Sequence, residues 1–568
     1  MTSVSSTSST ATTAASSSAS SSTTSGTKTT TSIDWDALIQ AQVNAKLAQA
    51  TTIQTSITAN QAKISAYQNL QTLLSTLATA TTSLSNSIVN SLSTSVFGTR
   101  AATITSTGDV SASSALSMSI GNGAATGDHT LQISQLATAQ KVIGSSVSDQ
   151  TAALGYSGTF SIGLAGGTSA NISVTSDMSL QGIVDAVNAQ SSTTDVQASI
   201  VQVSSGQFEL VLSGTTDAAD ITTSSVSGDD ILNKLGVTDG SGAFTDVLQA
   251  AQPAKFTLDG VSLTRDSNDI TDVLSGVTFN LLQDTPTGTT LNISIAPDTS
   301  QIQTALQTFV TAYNAFRDFV SGQQQLSSDG TVSSSSVLFG DGTMRAITTQ
   351  MEQALNTSIG GQSLSSLGLS FSSTNDLVLD TSALSTALSQ NLDGAMSLLA
   401  AQTTTSSSAL SVVDTSSSPP ASFALDLTVD STGKLASASV GGDNSLFTVS
   451  GNSIIGNANT IYAGMAFTYT GSTSTSVTVT STTGIAAQIL NLAKSSSDTS
   501  TGSLQTLITN LQTQDDTMQQ QIDDIDSRAA LYQTMLTNQY AQYQAAISTA
   551  DTTLNYLSAL LNSGNSNG

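Results

Sequence analysis

The chain has 568 residues, with 39 acidic against 13 basic, a net charge of −26, no cysteine and a single histidine. Such acidity excludes the nucleic-acid backbone and anionic membranes as partners. His129 without a cysteine excludes Cys–His nucleophiles and two-His zinc motifs. Only 9% of residues are charged, against roughly 25% in an ordinary soluble protein, so Ser, Thr, Ala, Gly, Asn and Gln must form the surface.

Taken in order, residues 1–32 are almost all Ser, Thr and Ala. They lack the basic and apolar regions of a cleavable signal peptide and are expected to be a disordered leader, because they bury too little to offset their ordering entropy. Residues 33–97 predict a long N-terminal helical leg. Its apolar stripe runs Ile53, Ile57, Asn60, Ile64, Tyr67, Leu70, Leu74, Leu77, Thr81, Leu84 and Ile88, with Asn60 and Thr81 as misfits. Residues 98–139 and 252–298 read as one β domain, with the strand TLQIS (130–134) and the Asp-Gly and Ser-Gly turns of PAKFTLDGVSLTRDSNDITDVLSGVTFNLL.

Between those halves, residues 140–251 form an inserted α+β unit. GTFSIGL, SANISVT, SLQGIVDAVNAQ, DVQASIVQV and FELVLSG spell two strands, a helix and two strands, with Asp177 and Ser179 placed to cap the helix. Residues 299–400 return to helical spacing, as in Leu306, Phe309, Val310, Tyr313, Phe316 and Val320. The Ser/Thr/Pro stretch 401–422 is expected to be a linker, and 423–484 a further β-rich segment. Residues 485–563 form the C-terminal helical leg and 564–568 a disordered tail.

The last helix has the cleanest seam. Leu504, Ile508, Leu511, Asp515, Met518, Ile522, Ile525, Ala529, Tyr532 and Leu536 alternate steps of four and three. An irregular step from Tyr532 through Tyr540 to Tyr543 is a stutter, after which Ile547, Ala550, Leu554, Leu557 and Leu561 resume the stripe. Asp515, Ala529, Ala550, Asn60 and Thr81 are weak seam residues for a free-standing coiled coil. The ends are therefore expected to fold only partly until a partner covers them, the alternative being a stable antiparallel pair within the chain.

Catalytic chemistry finds little footing. No G-x-S-x-G elbow or Walker loop is present, and the glycines 121–127 precede a strand, not a helix N-terminus that could hold phosphate. His129 reads as a surface or turn histidine. Asp229 and Asp230 read as a helix cap, and Asp515, Asp516, Asp523, Asp524 and Asp526 as a solvated helix face, not as glycosidase carboxylates. Asp266, Asn268 and Asp269 lack the glycine and terminal glutamate of a calcium loop. The expectation is no catalytic, cofactor or metal site. No run reaches the ~18 to 20 apolar residues of a membrane span.

Several segments together resemble the flagellar hook-associated protein 2 family. They are I-S-A-Y-x-x-L at Ile64 to Leu70, GDHTLQISQLATAQKVIGS, FTLDGVSLTRDSNDITDVLSGVTFNLL, SLSSLGLSFSSTNDLVLDTSALSTAL and LTNQYAQYQAAISTADTTLNYLSALL, in that order. The leader and 423–484 depart from the pattern. The resemblance implies an α+β multidomain fold in which terminal N- and C-helices form a coiled-coil or helical-bundle leg with β-rich head domains between them.

In function it implies a structural cap at the distal end of the bacterial flagellar filament, promoting flagellin folding and insertion and preventing flagellin loss. It implies a small homo-oligomeric ring, flagellin and hook–filament junction proteins as partners, and a cytoplasmic export chaperone before secretion to the filament tip. Candidate assembly and filament contacts are Ile57, Ile64, Tyr67, Leu74, Tyr532, Leu536, Tyr540, Tyr543, Ile547, Leu554 and Leu557. Two rival readings are a surface adhesin binding glycans or host proteins through 140–250 and 423–484, and a filament or junction subunit.

Overall fold

The computed structural model describes residues 34–86, 88, 92–415 and 419–564. The expected leader and residues 565–568 of the expected tail lie outside the described residues, while Gly564 ends the last helix. The chain divides into two compact units, one of residues up to Ala62 together with those from Asn510 onward, the other running from Lys63 to Thr509.

The first long helix, Trp35–Ser85, spans 51 residues, and the last, Ser503–Gly564, spans 62. Both contain many threonines, which are poor helix formers. Here the hydroxyls are turned back onto carbonyls one turn earlier, as in Thr55 to Thr51, Thr58 to Gln54 and Thr76 to Thr72. A helix with little charge thus keeps its hydroxyl groups satisfied.

Acidic and amide residues are used at the helix starts. Asp298, Asp341 and Asp380 accept from the first backbone N–H groups of helices Thr299–Gly322, Gly342–Leu355 and Thr381–Gln390. Asn391 does the same for Leu392–Leu399. Ser179 caps Leu180–Asn188 as expected, whereas Asp177 accepts from the Thr175 hydroxyl instead. Asp230 caps Ile231–Lys234, and Asp229 pairs with Lys234 at 2.9 Å.

In the second unit, a five-stranded antiparallel sheet orders Arg100–Ser106, Leu291–Pro297, Gly127–Gln135, Ala254–Leu258 and Val261–Arg265. A three-stranded sheet of Asp269–Leu274, Val277–Leu281 and Leu116–Ile120 shares its core of Leu131, Ile133, Phe256, Phe279 and Leu291. The segments that carried the resemblance hold each other here. Asp259 accepts from Thr130 N–H and pairs with His129 Nδ1 at 2.7 Å. Asn268 brackets Ala137, accepting its N–H at 2.8 Å and donating to its carbonyl at 2.9 Å. Arg265 clamps both oxygens of Asp272 through Nε. His129 therefore lies within a strand, hydrogen-bonded to Asp259, and not in a turn.

Residues between these halves build a separate core. Strand Gly158–Leu164 lies between Ala170–Val174 and Ile221–Gly228, and helix Leu180–Asn188 packs on Val196–Ser204. Phe160, Ile162, Ile183 and Leu212 are buried there.

The helical region includes Ile485–Ser497, which packs against Gly342–Leu355 and Leu392–Leu399. This divides the expected 485–563 leg: Asp498 closes the turn after Ile485–Ser497 by accepting from the Ser500 and Thr501 amides, and a new helix begins at Ser503. At the other end, the first helix stops at Ser85, so the expected 33–97 leg is shorter, and Ile88 lies in a turn.

The expected linker 401–422 is a second correction. Gln402–Thr405 pairs with Thr475–Thr482, and Leu410–Asp414 pairs with Ala466–Tyr469. Two four-stranded sheets thus run from 402 to 482. They close on Phe423, Leu425, Phe447, Ile454, Phe467 and Val477, with Phe423 edge-on to Tyr462 at 4.8 Å. The backbone of Gly484 donates to Ala400 at 3.1 Å, so this sandwich enters and leaves at one point.

Candidate functional site

The terminal helix pair is the candidate site, and its first compact unit carries the decisive contacts. Trp35 lies on Tyr540, with ring centroids 5.0 Å apart. Gln42 donates to the Tyr540 hydroxyl at 2.8 Å and accepts from the Tyr532 hydroxyl at 3.0 Å. Ile39 and Val43 pack with Ala529 and Leu536, then Ala50 and Ile57 with Ile522 and Ile525. Asn60 donates to Asp515 at 2.8 Å. Low positions on one helix thus meet high positions on the other, which is an antiparallel pair.

The seam misfits have an explanation. Asn60 and Asp515 satisfy each other, a polar pair of the kind that fixes register in a helix seam. Thr81, fully buried, donates to the Leu77 carbonyl. The small Ala529 sits in the cluster with Ile39 and Val43.

The candidate contact residues fall into two groups. Ile57, Ile64, Tyr67, Leu74 and Leu536 are buried in the chain's own cores, and Tyr532 and Tyr540 are half-buried. These seven hold the fold and offer little outward surface. In the second unit, Tyr67 donates to Asp341 at 2.6 Å, the same carboxylate that caps helix Gly342–Leu355. Burial first, then the Asp341 bond, holds the Tyr67 phenol well above its ordinary pKa.

Tyr543, Ile547, Leu554 and Leu557 are exposed, joined by Tyr556, Leu560 and Leu561 on the same stretch. The stripe is covered as far as Tyr540 and open beyond it among the described residues. Seven large apolar side chains are exposed on this one stretch of helix. Sequence periodicity found the stripe, but only the partner contacts reveal where the cover stops. It did not single out Trp35 and Gln42, whose i, i+4, i+7 spacing with Ile39 was the available signal.

Paired terminal helices, antiparallel β modules strung between them and an exposed apolar helix end define a multidomain assembly protein. The model for "Flagellar hook-associated protein 2 C-terminus" matches residues 251–552, that for its N-terminus residues 31–140, and "Flagellin hook IN motif" residues 159–216. Flagellar hook-associated protein 2 of Escherichia coli K12 is 31% identical over 385 residues, covering 65% of this chain and 78% of that protein. The B-type protein of Pseudomonas aeruginosa is 26% identical over 394 residues, covering 66% and 80%. The crystal structure of the flagellar cap protein D1-D2-D3 domains from Escherichia coli aligns with a TM-score of 0.47 and 29% identity, covering 59% of this chain and 89% of that one. The chain belongs to the flagellar hook-associated protein 2 family.

Proposed function

We propose that this protein is the structural cap at the distal end of the bacterial flagellar filament. The observation that carries the reading is the pair of family matches, which together take in the first terminal helix, most of the last, and the β modules on either side of residues 141–250. The Tyr543–Leu561 stripe supports a leg whose end is covered only in the assembled filament. In this role the β modules stand over the growing end, while flagellin subunits fold and insert beneath them and are kept from escaping.

The working form is a homo-oligomeric ring, with flagellin and the hook–filament junction proteins as neighbours. The chain is exported to the tip, accompanied by a cytoplasmic chaperone before secretion. Its role is structural, not catalytic. The adhesin reading gains nothing from the comparisons: residues 159–216, which it needed as a recognition surface, match the flagellin hook IN motif. Deleting the gene tests the proposal. Flagellin should appear as monomer in the medium with loss of motility, and full-length chain should restore filaments where a chain truncated after Tyr540 does not. Normal filaments in the deletion strain would overturn it.

A further inference from the structure

A chain of net charge −26 brings like-charged surfaces together when its copies meet, unless cations sit in the contact. The terminal helix pair has such a place. Lys46 and Gln49 from the first helix, with Ile525, Arg528, Ala529 and Tyr532 from the last, line a hollow of about 270 Å³. Two of the 13 basic residues of the chain are there, and no acid lines it.

The groups around the hollow are already oriented. Lys46 Nζ lies 5.4 Å from the centre of the Tyr532 ring, and the Tyr532 hydroxyl is committed to Gln42. Arg528 Nε donates to the Asp524 backbone carbonyl at 3.1 Å, not to the carboxylate one turn away. Neither Lys46 nor Arg528 enters an ion pair among the described residues. The floor is apolar, with Ile525 and Ala529 buried. The hollow therefore offers an ammonium and a guanidinium above a surface suited to methylenes, which is a seat for a carboxylate on a short alkyl stem.

We propose that this hollow receives an acidic side chain from a second copy of this chain, its stem on Ile525 and Ala529 and its oxygens between Lys46 and Arg528. Charge complementarity favours a copy of the chain itself. Each molecule offers three acids for every base (39 against 13), so a basic hollow on one copy meets an acidic surface on the next. Where such a contact is heterologous and its rotation closes, it builds a ring. The proposal deepens the oligomer named above and rests on that reading.

The test compares purified full-length chain with Lys46→Glu/Arg528→Glu and Lys46→Gln/Arg528→Gln by sedimentation velocity and mass photometry. Both positions are exposed, so the variants should keep the parent circular dichroism and Trp35 emission. Charge reversal should weaken self-association at least tenfold at ~50 mM salt, and by less than about threefold near 1 M, where the screening length is only ~3 Å. The neutral variant should fall between. Unchanged assembly at low salt, or a loss that persists at 1 M, overturns the proposal. So does unchanged assembly with lost capping in cells, which would assign the hollow to another protein and leave the cap reading intact. The cap reading alone fails if assembly shows the expected salt response but filaments form normally without the chain.

Discussion

Tyr67→Phe probes how the resemblance motif I-S-A-Y-x-x-L contributes to the fold. The Tyr67 hydroxyl donates to Asp341 Oδ2 at 2.6 Å, while Oδ1 of the same carboxylate accepts from Met344 N at 2.7 Å. A hydrogen bond to a charged acceptor contributes about 1.5–3 kcal/mol, and loss of a helix cap costs about 1 kcal/mol. Tyr67→Phe should therefore destabilise helix Gly342–Leu355 by about 2 kcal/mol, and Asp341→Ala by about 3. In the double mutant the effects should fall short of additive by about 1.5–2 kcal/mol, because one bond is lost twice. Hydrogen exchange of the amides 344–351, read by mass spectrometry, checks this: about 2 kcal/mol is a roughly thirtyfold rise in the opening equilibrium. Exchange in Tyr67→Phe within twofold of the parent, or simple additivity, would refute the linkage.

Further expectations follow from the same packing. Burial pushes the Tyr313 phenol up to about 12; a raised phenol keeps its full contribution below pH 10, its unfolded value, and loses it as pH rises toward 12. Tyr313→Phe should flatten the alkaline fall in melting temperature, and an unchanged slope would count against it. Trp35, the sole tryptophan, reports on the leg through Tyr540. Leu536→Ala should cost about 2–4 kcal/mol in its urea transition as a buried truncation, whereas Leu561→Ala, 74% exposed, should leave it unmoved. Removing 401–483 and rejoining Ala400 to Gly484, whose backbones are 3.1 Å apart, should leave protease resistance and helix content of the remaining chain intact. Wholesale unfolding would show that the sandwich is integral to the rest.

Legibility in the sequence followed the strength of the period. The last helix and Leu306 to Val320 were plain because packing repeats along them, and the helix 180–188 was plain because Ser179 announces it. The strand 402–405 was hidden because Thr dominates it, and both it and 410–414 were hidden because their partners, 475–482 and 466–469, lie more than fifty residues away. The alternation of Leu410 and Val412 was the signal available. The start of the last helix was legible from the seam that begins at Leu504, and Asp498 followed by Ser and Thr is a turn signature before it. At the site, the stripe could be read but its cover could not. Whether Ile57 or Leu557 faces outward depends on where the partner helix ends, a long-range fact that period alone does not contain. Asn60 and Asp515, which looked like separate flaws, proved to be one contact.

The central claim, a cap at the filament tip, is tested most directly by immunogold electron microscopy with antibody raised against residues 402–482. Label is expected at the distal end of each filament and nowhere along its length, with flagellin released to the medium when the chain is absent. Label distributed along the filament, confined to its base or spread over the cell body would contradict it.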